Sequence, residues 1–398
     1  MTSFPPAPTT ALDWTNPAAF SKFQEVNGHV ESTYSNTTKT WSPLKFVPDP
    51  CLRIHGLAPG LNYGQQAFEG LKAFRLPSGA ISIFRPDRNG LRLRHSSAVL
   101  NMPAVPLDLF VSACRAAVAH NAEFVPPHET GWSLYCRPLT FASAPQFPPG
   151  VPEEVTFCVY VFPTPSGEEG EEEAVVVVDG AVKALILDDF DRAAPKGTGN
   201  AKAGGNYAGV LRWQGRAKTD GYDITLHLDS SRHEEVDEFS LCGFIGVVLA
   251  DTGGGGGGGV TTTTLVIPKS PCAIDSLTSD SVQQIAKGWG WQVEKKVVRY
   301  TDLPEFSEVI GAGTAVGLVS VRSITRRGTA KLDNRHPRVA VDKDGAEEVV
   351  KYIPDDQKEG GPIFRKLLGR FRAIQTGEVA DEFGWRFEVR EEDKGLAA

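Results

Sequence analysis

Near the middle of the chain, Pro163-Thr164-Pro165-Ser166-Gly167 runs into Glu168-Glu169-Gly170-Glu171-Glu172-Glu173, a stretch where proline, glycine and charge gather. Proline removes a ladder donor, glycine and serine favour turns, and adjacent like charges repel and stay solvated. Few contacts can cross such a segment, so a domain boundary falls there. A chain of 398 residues is in any case too long for one ordinary core. The reading is an irregular N-terminal segment over 1–40, rich in Pro, Thr, Asn and Ser, then a small α/β domain over 41–162. A linker over 163–173 and a large α/β domain over 174–398 follow.

Hydrophobic periodicity fills in both halves. In the first it predicts a strand at 80–84, helices at 89–100 and 107–121, and strands at 132–137 and 155–162. In the second it predicts strands at 174–178, 222–228, 244–249, 264–267, near 293–300 and at 316–321, with helices at 207–218, 278–288 and 362–376. Strands and helices mix without the steady alternation of a doubly wound sheet. The seven glycines from Gly253 to Gly259 read as a hairpin tip, since added loop length costs little closure entropy. A phosphate cradle would need a helix after them.

Composition narrows the function. The apolar fraction of 41% and charged fraction of 23% are those of a soluble globular protein, and a net charge of −8 argues against a nucleic-acid surface. Six scattered cysteines show no metal-ligand spacing and read as reduced core thiols, so no metal is expected. No apolar run is long enough to span a membrane, and residues 1–22 lack an apolar targeting core and arginine. A cytoplasmic protein is expected.

One segment stands out chemically: Asn200-Ala201-Lys202-Ala203-Gly204-Gly205-Asn206-Tyr207 sets a long amine among very small residues. Such a run is usually a turn, but it can also let a flat cofactor lie against the backbone. A lysine with a lowered pKa attacks carbonyls. A pyridoxal phosphate site needs an amine for the aldehyde, an acid for the ring nitrogen, a partner for the phenolic oxygen, and an arginine with backbone amides for the phosphate. Lys202, Glu238, Tyr207, Arg92 and the small-residue turn Gly313-Thr314-Ala315 could supply these. On spacing alone Arg92 reads as a surface arginine, Glu238 as a solvated acid and Thr314 as a plain turn. Gly197-Thr198-Gly199 and Gly204-Gly205 fit neither nucleotide-binding glycine pattern.

Longer motifs carry a resemblance. Asn62-Tyr63-Gly64-Gln65-Gln66-Ala67-Phe68-Glu69-Gly70-Leu71-Lys72-Ala73-Phe74-Arg75, Phe84-Arg85-Pro86 with Asn89 and Arg92, and Tyr135-Cys136-Arg137-Pro138 are similar to branched-chain amino acid aminotransferases. So are the Lys202–Tyr207 segment, Glu238-Phe239-Ser240, Phe306-Ser307-Glu308-Val309, Gly313-Thr314-Ala315 and Ile374-Gln375-Thr376-Gly377 leading to Trp385. They lie in the family's order from about residue 40 to 390, closest to its fungal-type members. The resemblance implies fold type IV, akin to D-amino acid aminotransferase: two α/β domains with mixed sheets and flanking helices, pyridoxal phosphate between them, and a homodimer. Lys202 resembles the Schiff-base lysine, Tyr207 the partner of the ring hydroxyl and Glu238 the partner of the pyridine nitrogen. Arg92, Leu277, Thr278 and Thr314 resemble phosphate ligands. Tyr63, Phe68, Lys72, Tyr135 and Arg137 resemble the wall that receives the substrate side chain and the acidic co-substrate, and the amides of Thr314 and Ala315 the α-carboxylate site.

There are four departures from the family pattern, of which the first two, at Gly243 and at Ser279 with Asp275, bear on substrate range. Gly243 stands where asparagine is common, after Leu241 and Cys242; Ser279 stands for an arginine and Asp275 for a proline or glycine. The glycine tract replaces a short hairpin, and no C-x-x-C follows Gly313. The expected activity is transamination of Leu, Ile, Val or close analogues with 2-oxoglutarate. Alternatives are an (R)-amine or D-amino acid transaminase or an aminodeoxychorismate lyase on the same fold, a transaminase serving secondary metabolism, and a cofactor-free scaffold.

Overall fold

The computed structural model describes residues 4–165, 180–252, 260–328, 331–342 and 344–395. The expected strand at 174–178, the acidic run and the Gly253–Gly259 tract lie outside the described residues. The chain forms two units: Met1–Val177 with Ala201–Gly205 and Arg372–Ala398, and Val178–Asn200 with Asn206–Phe371. Residues 201–205 and 372–398, read from composition as part of the large domain, therefore pack with the first unit.

That unit is built on a nine-stranded antiparallel sheet in the order Arg386–Val389, Ile81–Phe84, Leu71–Arg75, Ser133–Ala142, Glu154–Thr164, His29–Ser35, Thr40–Trp41. Lys45–Val47 pairs with His29–Ser35, and Gln66–Phe68 with Ser133–Ala142. Alternation along the strands sends Leu71, Ala73, Leu134, Cys136, Val159 and Val161 into one buried core. The helices Pro86–Val99 and Leu107–His120 add Leu93, Phe110, Ala113 and Ala117 to it. Register puts Lys72 opposite Tyr135, Tyr135 opposite Phe162, and Arg137 opposite Tyr160, so these side chains share the other face. The first forty residues, expected to be irregular, contain the strand His29–Ser35. Its Val30 is fully buried against Val159 in the neighbouring strand, a long-range pairing that local composition does not reveal.

The second unit holds a ten-stranded mixed sheet. Its order is Val236–Phe239, Ile224–Leu228, Val182–Ile186, Gly317–Arg327, Glu308–Gly313, Gly243–Thr252, Val260–Pro268, Gln292–Lys296, with Val339–Val341 and Glu347–Lys351 added beside Gly317–Arg327. Val182–Ile186 and Ile224–Leu228 run parallel because the helix Gly204–Thr219 crosses over between them, and the Lys202 segment lies just before that helix. The helix Leu277–Gly288 makes a second crossover, between Val260–Pro268 and Gln292–Lys296. The two expected strands flanking the glycine tract do pair, antiparallel.

Glu308 shows why its motif is polar in an apolar strand. The residue is 4% exposed, and its carboxylate accepts the amides of Ile363 and Phe364, both at 2.9 Å, at the start of the helix Pro362–Thr376. A Cβ on Gly361 would lie within 2.6 Å of all three carboxyl heavy atoms, so only glycine admits the cap. Replacing Glu308 by Ala orphans two amides at the positive end of a helix dipole and is expected to cost about 2–3 kcal/mol. Urea denaturation measures it, and a loss below about 0.5 kcal/mol, the scale of a surface change, would remove the capping role.

Candidate active site

In the first unit the Lys202 segment is laid against the strand Gln66–Phe68. Ala203 forms a bridge with Ala67, the Lys202 carbonyl accepts Phe68 N–H at 3.0 Å, and Lys202 N–H donates to Ser96 Oγ at 2.9 Å. Ser96 in turn donates to the Arg92 carbonyl, one turn earlier on its helix. The small residues have a reason other than the expected flat-cofactor surface. Ala201 and Ala203 are buried, and a Cβ on Gly204 would approach Gln66 Nε2 to 2.9 Å. At Gly205 the same position is open.

The lysine side chain turns to Phe68, whose ring centroid is 4.2 Å from Nζ. The Arg137 guanidinium lies 4.9 Å from the same centroid and 5.3 Å from that of Tyr135. Its Nε is buried without a hydrogen-bond partner, and among the described residues Arg137 makes no ion pair. Tyr135 stacks on Phe162 at 5.3 Å, and its hydroxyl comes so close to the backbone that a Cβ on Gly70 would lie 1.9 Å from it. Lys72 is half-buried on the same sheet face; burial and the nearby Arg372 guanidinium push its amine down to about 8. Phe68, Lys72, Tyr135 and Arg137 are thus gathered on neighbouring strands, while Tyr63 ends the short helix Pro59–Asn62 and is 48% exposed.

Arg92 is not the surface arginine that spacing suggests. Its Nε and a terminal nitrogen each donate to Glu69 at 2.7 Å, and the Glu69 carboxylate is fully buried. Asn89 Nδ2 adds a bond at 2.8 Å. Glu69 had no role in the sequence reading, although a carboxylate between Phe68 and Gly70 needs a partner, and Asn89 and Arg92 are one helical turn apart.

In the second unit Glu238 is buried, on the strand Val236–Phe239. Its Oε1 lies 2.6 Å from an Arg192 guanidinium nitrogen and accepts the Ile274 N–H at 3.1 Å. Arg192 was missed; ten residues before Lys202, it is one arginine in an irregular segment and carries no pattern. Leu277 and Thr278 open the helix Leu277–Gly288, and Ser276 caps it by accepting the Ser279 N–H. Ser276 Oγ also donates to the Ala312 carbonyl at 2.8 Å, joining that helix start to the strand that ends at the Thr314–Ala315 turn. Tyr207 is half-buried in the first turns of the helix Gly204–Thr219.

The departures have local causes. A side chain on Gly243 would press on Ser276 Cβ at 3.0 Å. Ser279 is buried and accepts a hydrogen bond from Gln283 at 3.1 Å. All six cysteines are free thiols, five of them buried and Cys51 exposed. Among the described residues no group of three or more His, Cys, Asp or Glu is placed to hold a metal ion, and no helix is long and apolar enough to cross a membrane.

Residues 66–324 match the model of the class IV amino-transferases. The chain is 46% identical over 389 residues to the aminotransferase poxL of Penicillium oxalicum, covering 98% of this chain and 96% of that protein. It is 43% identical over 384 residues to the branched-chain amino acid aminotransferase gloG of Glarea lozoyensis, covering 96% and 97%. The branched-chain amino acid aminotransferase of Escherichia coli shares the fold with a TM-score of 0.67 at 22% identity, covering 92% of this chain and 100% of that one. With the motifs in order and nearly the whole length matched, the chain belongs to the class IV aminotransferases, of fold type IV.

Proposed function

We propose that this aminotransferase moves the amino group of branched-chain L-amino acids, or close analogues, onto 2-oxoglutarate, giving the 2-oxo acids and L-glutamate. The observation that carries the reading is the Phe68 ring, shared by the Lys202 amine at 4.2 Å and the Arg137 guanidinium at 4.9 Å. A substrate held at that amine meets an aromatic surface for an aliphatic side chain and a cation for an acidic one. An apolar wall separates Leu, Ile and Val by only about 1–3 kcal/mol, so their use overlaps.

Pyridoxal phosphate is the cofactor of this class, and the donors present fit it. Lys202 would take its aldehyde, Tyr207 its phenolic oxygen and Glu238 its ring nitrogen. Arg92, Leu277, Thr278 and Thr314 would hold its phosphate, and the Thr314 and Ala315 amides the substrate α-carboxylate. When bound, it supplies an electron sink that lets a substrate Cα–H bond break. Nζ of Lys202 takes that proton and returns one, base and then acid. Glu238, ion-paired with Arg192, accepts the hydrogen bond of a ring N–H. Arg137, Lys72 and Tyr135 orient the side chain. A homodimer in the cytoplasm belongs to the same reading.

A second reading keeps the reaction but changes the amino acid to an unusual one made for secondary metabolism. It rests on Gly243 and Ser279, which remodel the surroundings of the helix start at Leu277.

The deciding experiment is the half-reaction followed by visible absorbance with L-leucine, D-alanine and (R)-1-phenylethylamine. Turnover with L-leucine alone, lost by at least about a thousandfold in Lys202→Ala, is expected; preference for either other amine would sink the reading. Arg137→Leu should raise KM for 2-oxoglutarate about tenfold or more while changing that for leucine less than about threefold, since only one of them presents a distal carboxylate. Lys72 is cationic below about 8 and neutral above it, so KM for 2-oxoglutarate should rise as pH passes about 8. In Lys72→Met that limb should vanish; if it persists, another group causes it.

A further inference from the structure

Across the ladder from Glu238 stands His227, and Ser240 N–H bonds the Thr225 carbonyl, so Thr225, His227, Glu238 and Ser240 present their side chains on one face of two paired strands. All four are buried, at 0%, 2%, 4% and 5% exposure. His227 Nε2 is 2.6 Å from Ser240 Oγ, and that hydroxyl also bonds Thr225 Oγ1. Phe190, two residues before Arg192, meets the imidazole edge-on at 6.3 Å. The register slips immediately after His227, so that Leu228 faces Val236 and Asp237 is left over. Such irregularities re-aim side chains beside functional sites.

The second ring nitrogen of His227, Nδ1, is buried with no hydrogen-bond partner. A neutral ring that donates from Nε2 to Ser240 leaves there only a bare lone pair. A protonated ring would bury an N–H without an acceptor and place a second cation beside the carboxylate that Arg192 already holds. Burial and the Arg192 charge push the imidazole down to about 3, which agrees with the neutral form.

We propose that His227 is a positioning residue for Glu238: a neutral imidazole, anchored on the Ser240 and Thr225 hydroxyls, that stands across the ladder from the carboxylate and fixes it in the place where Arg192 holds it. The inference rests on the functional reading above only in taking Glu238 as the ring-nitrogen partner. Its strands and hydroxyls lie wholly within the second unit.

The test uses the wild-type protein, His227→Phe and His227→Gln, titrated with pyridoxal 5′-phosphate and then followed by visible absorbance against pH. His227→Phe keeps the bulk but loses the anchor; it should bind the cofactor about tenfold more weakly and move the pH midpoint of the visible band by about half a unit or more. His227→Gln, which keeps a neutral hydrogen-bonding end, should recover most of both. Nitrogen-15 spectra of the wild-type imidazole should show one neutral tautomer from pH 5 to 8, whether or not cofactor is present. Affinity and midpoint unchanged in His227→Phe, a Gln variant no better than Phe, or a ring that titrates in that range would each overturn the proposal. Wild-type protein that binds no pyridoxal phosphate would instead overturn the functional reading, and this one with it.

Discussion

The site depends on a short stretch of backbone pairing in which Phe68 N–H donates to the Lys202 carbonyl and Ala67 bridges Ala203. In the role proposed for it, as base and acid, Lys202 could not ride on a loose loop, because small misplacement of the reacting group costs much of the rate. The backbone hydrogen bond and the bond to Ser96 contribute only about 1 kcal/mol each, yet they remove the local freedom of the residues on either side of the amine. The anchor explains the composition around it. Ala203 is buried, and a Cβ at 204 would meet the Gln66 side-chain amide at 2.9 Å, so the anchor favours small residues.

Each unit then solves the same electrostatic problem in the same way. Glu69 and Glu238 are carboxylates buried where an isolated charge would be untenable, and each is met by an arginine, Arg92 and Arg192, at 2.7 and 2.6 Å. Breaking such a pair costs about 3–5 kcal/mol because it strands the other charge, so the pairs lock their surroundings more than they stabilise the fold. In the roles proposed for them, Arg92 and Glu238 would be held in place before any ligand arrives. Pre-ordered charges bind without reorganising, which is what a cofactor with fixed functional groups requires.

What could be read in advance divides along physical lines. Lys202, Glu238, Arg92 and the aromatic wall were legible as candidates because they sit in motifs several residues long, and Leu107–His120 and Pro362–Thr376 as helices because a helix writes its period locally. Arg192 and His227 were not, since each gains meaning only from a residue 46 or 11 positions away that folding brings across a ladder or a loop. The strand His29–Ser35 was hidden for the same reason: its polar run becomes a strand by pairing with Glu154–Thr164. The return of residues 372–395 to the first unit, through Arg386–Val389 against Ile81–Phe84, leaves no trace in composition.

In the proposed reaction one wall would accept both leucine and glutamate, and the place where Arg137 keeps its charge offers a physical route to that. A guanidinium over the faces of Phe68 and Tyr135 gains attraction from two ring quadrupoles, about 0.5–2 kcal/mol each depending on exposure, without committing to a carboxylate. When an aliphatic side chain lies on the aromatic surface, the cation loses little, because it was never ion-paired within the unit. When a distal carboxylate arrives, the same cation offers its planar donor edge, and the gain is large because the site is partly desolvated. A permanent Arg137–carboxylate pair would have favoured apolar substrates alone, and a fully hydrated arginine would have weakened the acidic one. The aromatic clasp stands between those extremes, so the proposed alternation between an apolar donor and an acidic acceptor would need no rearrangement of the wall.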